Sequence, residues 1–154
     1  MKYQKTKYLW SILFVLSLGM ISCSENGETG PDLLSRQEVE DNMNSGNWRI
    51  TKFIDSGNDE ANHFSGYDFV FNENGVLTTS SGTNTYEGTW SISDSNSGDD
   101  SPDDLDFNIL FNLTNDFQDL NDDWDILSVT ASMIELVDIS GGNGGTDFLT
   151  FEKN

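Results

Sequence analysis

Leu105-Asp106-Phe107-Asn108-Ile109-Leu110-Phe111-Asn112-Leu113 places its largest apolar side chains on one parity. Leu105, Phe107, Ile109, Phe111 and Leu113 share that parity, while Asp106, Asn108 and Asn112 fall on the other, together with Leu110. Side chains of a strand point alternately to the two faces of a sheet, so this stretch predicts a strand with one buried face. A helix would scatter the same apolar residues around its circumference.

Working outward, the pattern recurs. Residues 47–54, 67–72, 76–80 and 86–93 precede it as strand-like runs, and residues 124–130, 133–139 and 147–153 follow it. Tyr67, Phe69 and Phe71 share one face of their run, and Tyr86, Gly88, Trp90 and Ile92 share one face of theirs. Asn74-Gly75, residues 81–84, Ala131-Ser132 and the glycine-rich residues 141–145 supply the turns between runs. Eight strands with mostly short links favour antiparallel neighbours, and closing such a sheet removes its exposed edges. The expectation is an all-β, eight-stranded antiparallel up-and-down β-barrel, with a two-sheet β-sandwich as the alternative. A barrel of this size holds either packed side chains or one small ligand.

The flanks of the strands add detail. Ser35 and Glu38 form an S-x-x-E capping box, and Leu34 with Val39 has the spacing of a hydrophobic staple. A short helix over residues 36–43 follows, with Val39 and Met43 as its packing face. The one long link, residues 114–123, carries Phe117 and Leu120, which predict a helical turn against one barrel end.

The start of the chain has a different character. Lys2, Lys5 and Lys7 precede an almost wholly apolar run over residues 9–21, followed by Ser22 and Cys23. This is the order of a secretory signal, and the run is too short for a comfortable membrane span. Met20-Ile21-Ser22-Cys23 resembles a lipobox, which implies cleavage after Ser22 and lipidation of Cys23, the sequence's one cysteine. An ordinary cleaved signal beside a coincidental cysteine is the alternative. A lone cysteine excludes an internal disulfide framework. The expected organisation is a signal at 1–22, a flexible tether at 23–34 and a barrel domain at 35–154. Glu25 and Glu28 resemble the acidic residues that follow the lipidated cysteine in surface-bound Bacteroidetes lipoproteins. The implied location is the outer membrane, facing outward.

Charge narrows the partners. Removing residues 1–22 takes away three of seven basic residues and none of 27 acidic ones, leaving a formal charge of −23. Phosphate backbones are bound by basic patches, so nucleic acid is excluded as a partner. Adhesion to an anionic membrane through a basic face is excluded too, which leaves the lipid as the attachment. The acidity reads first as solubility and self-repulsion, and more sharply as an invitation to a cation. About 130 residues then suit a single domain with a modest core.

Gly46-Asn47-Trp48, at the start of the first strand and just after the short helix, resembles the G-x-W signature of lipocalins. Phe53-Ile54-Asp55-Ser56-Gly57, Phe64-Ser65-Gly66-Tyr67, Gly88-Thr89-Trp90-Ser91, Leu120-Asn121-Asp122-Asp123-Trp124 and Leu149-Thr150-Phe151-Glu152-Lys153 are similar to stretches in lipocalin-like domains of Bacteroidetes lipoproteins. Together they run from Gly46 to Lys153. The resemblance implies that Trp48 packs across a closed barrel end beneath the helix, with Lys153 as the late basic residue that covers it. No equivalent of the lipocalin T-D-Y motif is present, so no retinoid or haem is carried over.

Candidate sites follow. Trp48, Trp90 and Trp124 read as core residues bracing the barrel, or as platforms for a ligand. Tyr67, Phe69, Tyr86, Trp90, Phe107 and Phe111 face inward and would line any cavity for a small apolar or amphipathic molecule. The loop from Asp94 through Asn96, Asp99 and Asp100 is rich in oxygen ligands and loosely resembles a calcium loop. Its sixth and twelfth positions are Asp99 and Leu105 where such loops carry Gly and Glu, which favours a solvated acidic loop. Asp116, Asp119, Asp122 and Asp123 read the same way.

Catalysis finds no support. His63 is the sequence's one histidine and sits among polar residues, and no serine lies in a nucleophile-elbow pattern. One histidine and a lipidated cysteine argue against zinc. The expectation is a non-enzymatic lipoprotein of the outer-membrane surface, with no cofactor beyond the lipid on Cys23, that binds a small apolar or amphipathic molecule. The alternative is an interaction or structural module using its exterior and acidic loops, stabilised by calcium, with a protein partner that the sequence does not name.

Overall fold

The computed structural model describes residues 35–94, 105–139 and 145–154. The expected signal, Cys23, the tether, and Asn96, Asp99 and Asp100 lie outside the described residues. Helix α1 spans Arg36–Asn44. The Glu38 N–H donates to Ser35 Oγ at 3.2 Å, and the Ser35 N–H donates to Glu38 Oε2 at 3.0 Å. These bonds satisfy amide groups that a helix start otherwise leaves orphaned. The Ser35 backbone N–H, and then its hydroxyl, hold the Glu38 carboxyl below its ordinary pKa.

The strands are β1 (Trp48–Asp55), β2 (Asn58–Asp59), β3 (Asp68–Phe71), β4 (Val76–Ser81), β5 (Asn84–Asp94), β6 (Leu105–Leu110), β7 (Asp122–Thr130), β8 (Met133–Ile139) and β9 (Thr146–Lys153). From β3 to β9 each pairs antiparallel with the next, and β1 pairs with both β3 and β9. Eight strands thus close into an up-and-down barrel, and the sandwich alternative is set aside.

The two seams of β1 differ. Against β9 the register runs from Trp48↔Lys153 to Ile54↔Phe148, with a bulge between Ile50 and Lys52. Against β3 it is the single pair Trp48↔Phe69. Phe64, from the 3-10 helix Ala61–Phe64, packs at 5.6 Å from Phe53 of β1 and 6.4 Å from Phe69 of β3.

Most strand ends fall within two residues of the sequence expectation, and two larger departures each have a local reason. β2 is an extra two-residue strand that pairs with β1 alone. Ser56 at φ 49° and Gly57 at φ 81° both take the left-handed conformation that a tight two-residue hairpin demands. β6 stops at Leu110, although its apolar parity continues through Phe111 and Leu113. There the Asn121 side chain replaces a neighbouring strand, accepting from the Phe111 N–H at 2.6 Å and donating to the Phe111 carbonyl at 2.9 Å.

Both ends of the barrel carry a helix and a tryptophan. At one end α1 buries Val39 and Met43, and the Trp48 indole N–H donates to the Met43 carbonyl at 2.9 Å. Lys153 Nζ lies 4.8 Å from the centre of the Trp48 ring and donates to Asn42 Oδ1 at 3.1 Å and Ser45 Oγ at 2.9 Å. The cation therefore covers the ring face while tying β9 to the helix end. At the other end the 3-10 helix Asp116–Leu120 buries Phe117 and Leu120. The Trp124 indole N–H donates to the Leu120 carbonyl at 3.1 Å.

Candidate functional site

The interior gathers the aromatics that the strand parity points inward. Phe69, Phe107, Phe111 and Trp90 belong to the buried core, with Tyr67 and Tyr86 packed half-buried against it. Their rings meet one another directly. Trp90 stacks on Phe107 at 5.8 Å between centres, and Phe71 stands edge-on to both, 5.3 Å from Trp90 and 5.6 Å from Phe107. Such pairs contribute beyond their buried area, about 0.5–1.5 kcal/mol each.

Phe117 joins the remaining rings. It contacts Tyr86 at 5.0 Å, Tyr67 and Phe111 at 5.1 Å, Phe64 at 5.4 Å and Phe69 at 6.1 Å. Four of the six expected cavity-lining side chains are therefore packed on one residue, brought in from the link between β6 and β7. The sequence reading placed Phe117 against the barrel end but did not make it part of the site. The available signal was Asn115, whose side chain caps this helix by accepting from the Phe117 N–H at 3.3 Å.

Among the described residues, the concavities outside the wall include two of about 310 Å³ each. One is a shallow hollow on the outer wall, where Val76, Thr89 and Leu110 surround Gly88. The other lies beside α1, bounded by Arg36, Glu40 and Asn44 of the helix, Glu73 and Gly75 of the β3–β4 turn, and Trp90 with Ser91 of β5. Arg36 Nε donates to Glu40 Oε1 at 2.7 Å. The Trp90 indole N–H is committed to the Asn72 carbonyl at 3.0 Å, and the Trp90 amide to the Gly75 carbonyl at 3.0 Å. Asn44 Oδ1 is buried and has no hydrogen-bond partner among the described residues.

Of the calcium-loop residues, Asp94 ends β5, and the others fall outside the described residues. Among the described residues no three His, Cys, Asp or Glu side chains are grouped to hold a metal. Asp116 and Asp119 are exposed on the first turn of their helix. Asp122 differs. Burial first, and then the side chain of Asp123 and the charges of Asp138 and Asp123, push its carboxyl up to about 6. The Asp123 N–H donates to Asp122 Oδ1 at 2.9 Å and works in the opposite direction. His63 Nδ1 faces Glu60 Oε2 at 3.8 Å on a half-exposed surface.

Comparison with protein-family models finds no match. Comparison with curated proteins finds none either. Among solved structures, a DUF4847 family protein from Bacteroides vulgatus ATCC 8482 is similar at 20% identity and a TM-score of 0.48, over 75% of this chain and 97% of that one.

Proposed function

We propose that this chain is an exported, non-enzymatic accessory lipoprotein, held at the outer-membrane surface by lipid on Cys23, whose barrel is a filled scaffold for contacts made by its exterior and acidic loops. The observation that carries this reading is Phe117. Its five ring contacts take up the space between the inward-facing aromatics, so stability and shape are supplied by the chain's own side chains. A small apolar or amphipathic molecule among Tyr67, Phe69, Tyr86 and Phe111, the expectation from the sequence, would compete with Phe117 for that space. The formal charge of −23 after signal removal keeps such a scaffold soluble and directs it toward cationic partners.

Native mass spectrometry of protein purified from its own host without detergent tests the interior. The expected spectrum shows no adduct in the barrel. A stoichiometric apolar adduct would overturn the filled-scaffold reading and restore internal binding. Anchoring is tested separately with Cys23→Ser. Labelled fatty acid is expected to join the wild-type chain alone, and the variant should leave the membrane fraction with its circular dichroism unchanged. A variant that stayed membrane-bound, with no label on the wild type, would remove the anchor from the proposal.

A further inference from the structure

We infer that the outer wall formed by β1, β9 and β8 binds a second copy of this chain, giving a symmetric dimer whose two-fold axis runs along β9. The contact depends neither on the lipid anchor nor on what fills the barrel. Strand alternation lays out the wall. Leu149 and Phe151 of β9 point into the core, so Phe148, Thr150 and Glu152 point outward. The registers then set three outward rows across the three strands, Ile54–Phe148–Val137, Lys52–Thr150–Glu135 and Arg49–Glu152–Met133. The first row is apolar, and its Val137 is buried without belonging to the interior core. Leu127, at the β7 bulge, and Ile139, at the end of β8, border this row and are 58% and 68% exposed. They are two of the three large hydrophobic side chains left exposed among the described residues.

Charge selects the occupant. After residue 22 the basic residues are Arg36, Arg49, Lys52 and Lys153. Arg36 lies on α1 and Lys153 is turned onto Trp48, which leaves Arg49 and Lys52, both on β1, as the cations of the outer wall. Lys52 Nζ lies 4.3 Å from the centre of the Phe148 ring and has no carboxylate partner among the described residues. Glu135, in the same row, accepts from the Ser128 hydroxyl at 2.6 Å and has no cation among the described residues. Strand spacing holds the two backbones about 10 Å apart, on opposite sides of Thr150. A half-turn about an axis along β9 exchanges the β1 and β8 sides. It sets Lys52 of each copy against Glu135 of the partner subunit, Ile54 against Val137 of the partner subunit, and the two Phe148 rings against each other. Such a surface is complementary to itself, as an isologous interface requires. Glu152, in the middle of its row, stays neutralised by Arg49 of its own copy at 3.3 Å. Walls without cations would meet acid with acid, and the net charge of each copy keeps the association weak.

The test is sedimentation velocity on the full chain from residue 23, carrying Cys23→Ser so that no lipid is attached. The weight-average mass is expected to rise from monomer to dimer between about 1 µM and about 1 mM, the range of weak specific complexes. Lys52→Glu, at an exposed position, should weaken dimerisation about tenfold or more by facing Glu135 with a like charge. Glu135→Lys should do the same. The double swap Lys52→Glu with Glu135→Lys should restore the dimer, because the two-fold axis pairs the exchanged charges again. Ile139→Ser, at an exposed residue outside the charge pair, should also weaken it. A monomer throughout the range would overturn the assignment, as would a dimer that Lys52→Glu leaves unchanged or a double swap that stays monomeric. A monomer that floats with phosphatidylcholine vesicles, and loses them on Ile139→Ser, would give this wall to a membrane and overturn the assignment as well.

Discussion

Gly88 shows how closely one residue governs the wall of the barrel. A Cβ built there would lie 2.7 Å from the Leu110 carbonyl oxygen and 2.7 Å from the Phe111 ring, and backbone cannot move aside as a flexible side chain can. Gly88→Ala should therefore destabilise the fold by about 1–3 kcal/mol, read from urea unfolding. Parity alone placed Gly88 on the inner face. The reason for a missing side chain was invisible in the sequence, because the obstructing atoms come from Leu110 and Phe111, on the next strand of the barrel and its extension. Asp122 is a second local determinant. Its carboxyl is pushed up to about 6 in the fold from an ordinary value of 3.8, so its contribution to stability is present below the unfolded value and lost as pH rises through about 6. Asp122→Asn should match the wild type near pH 4 and exceed it by about 1 kcal/mol near pH 7, a modest figure because solvent screens this half-buried group. Paired unfolding curves at the two pH values check the sign, and an equal effect at both would remove titration as the cause.

Among the elements, the 3-10 helix Asp116–Leu120 has the largest influence for its size. Phe117→Ala should cost about 3–5 kcal/mol and leave a void among Tyr67, Tyr86 and Phe111. Uptake of a hydrophobic dye, absent from the wild type and present in the variant below its melting temperature, would show that the interior has opened. If the variant melted like the wild type, the ring cluster would not be the support described here. Much at this scale was legible beforehand. The Ser35/Glu38 box marked α1 because capping is a local, sequence-coded interaction, and strand parity placed Phe69, Phe107 and Phe111 inward. What escaped was decided by polar side chains and backbone conformation, which hydrophobic parity does not register. Asn121 ends β6 by bonding the Phe111 backbone, and the Ser56-Gly57 turn creates β2 from residues with no apolar pattern.

For the whole molecule, closure and charge dominate. The eight-stranded ring was legible because eight short alternating runs with tight turns have few ways to hide their edges. The filling of that ring was not legible, since inward parity is the same for residues that touch one another and for residues that face a ligand. Charge makes its own prediction. A chain with 27 acidic residues repels itself, and salt screens that repulsion, so raising sodium chloride from about 20 to about 300 mM should raise the Tm by a few degrees. A thermal melt that fell with salt would mean that favourable ion pairs, rather than repulsion, dominate the electrostatics. The unequal seams of β1 have a consequence in time. Its long partner is β9, with Arg49 and Glu152 joined across 103 positions of the chain, while β3 holds it by one pair. Pairings across such separations form slowly, because the entropy of closing the loop is lost before the contacts are gained. A chain emerging from a ribosome therefore cannot seal its barrel until β9, the last strand, has arrived.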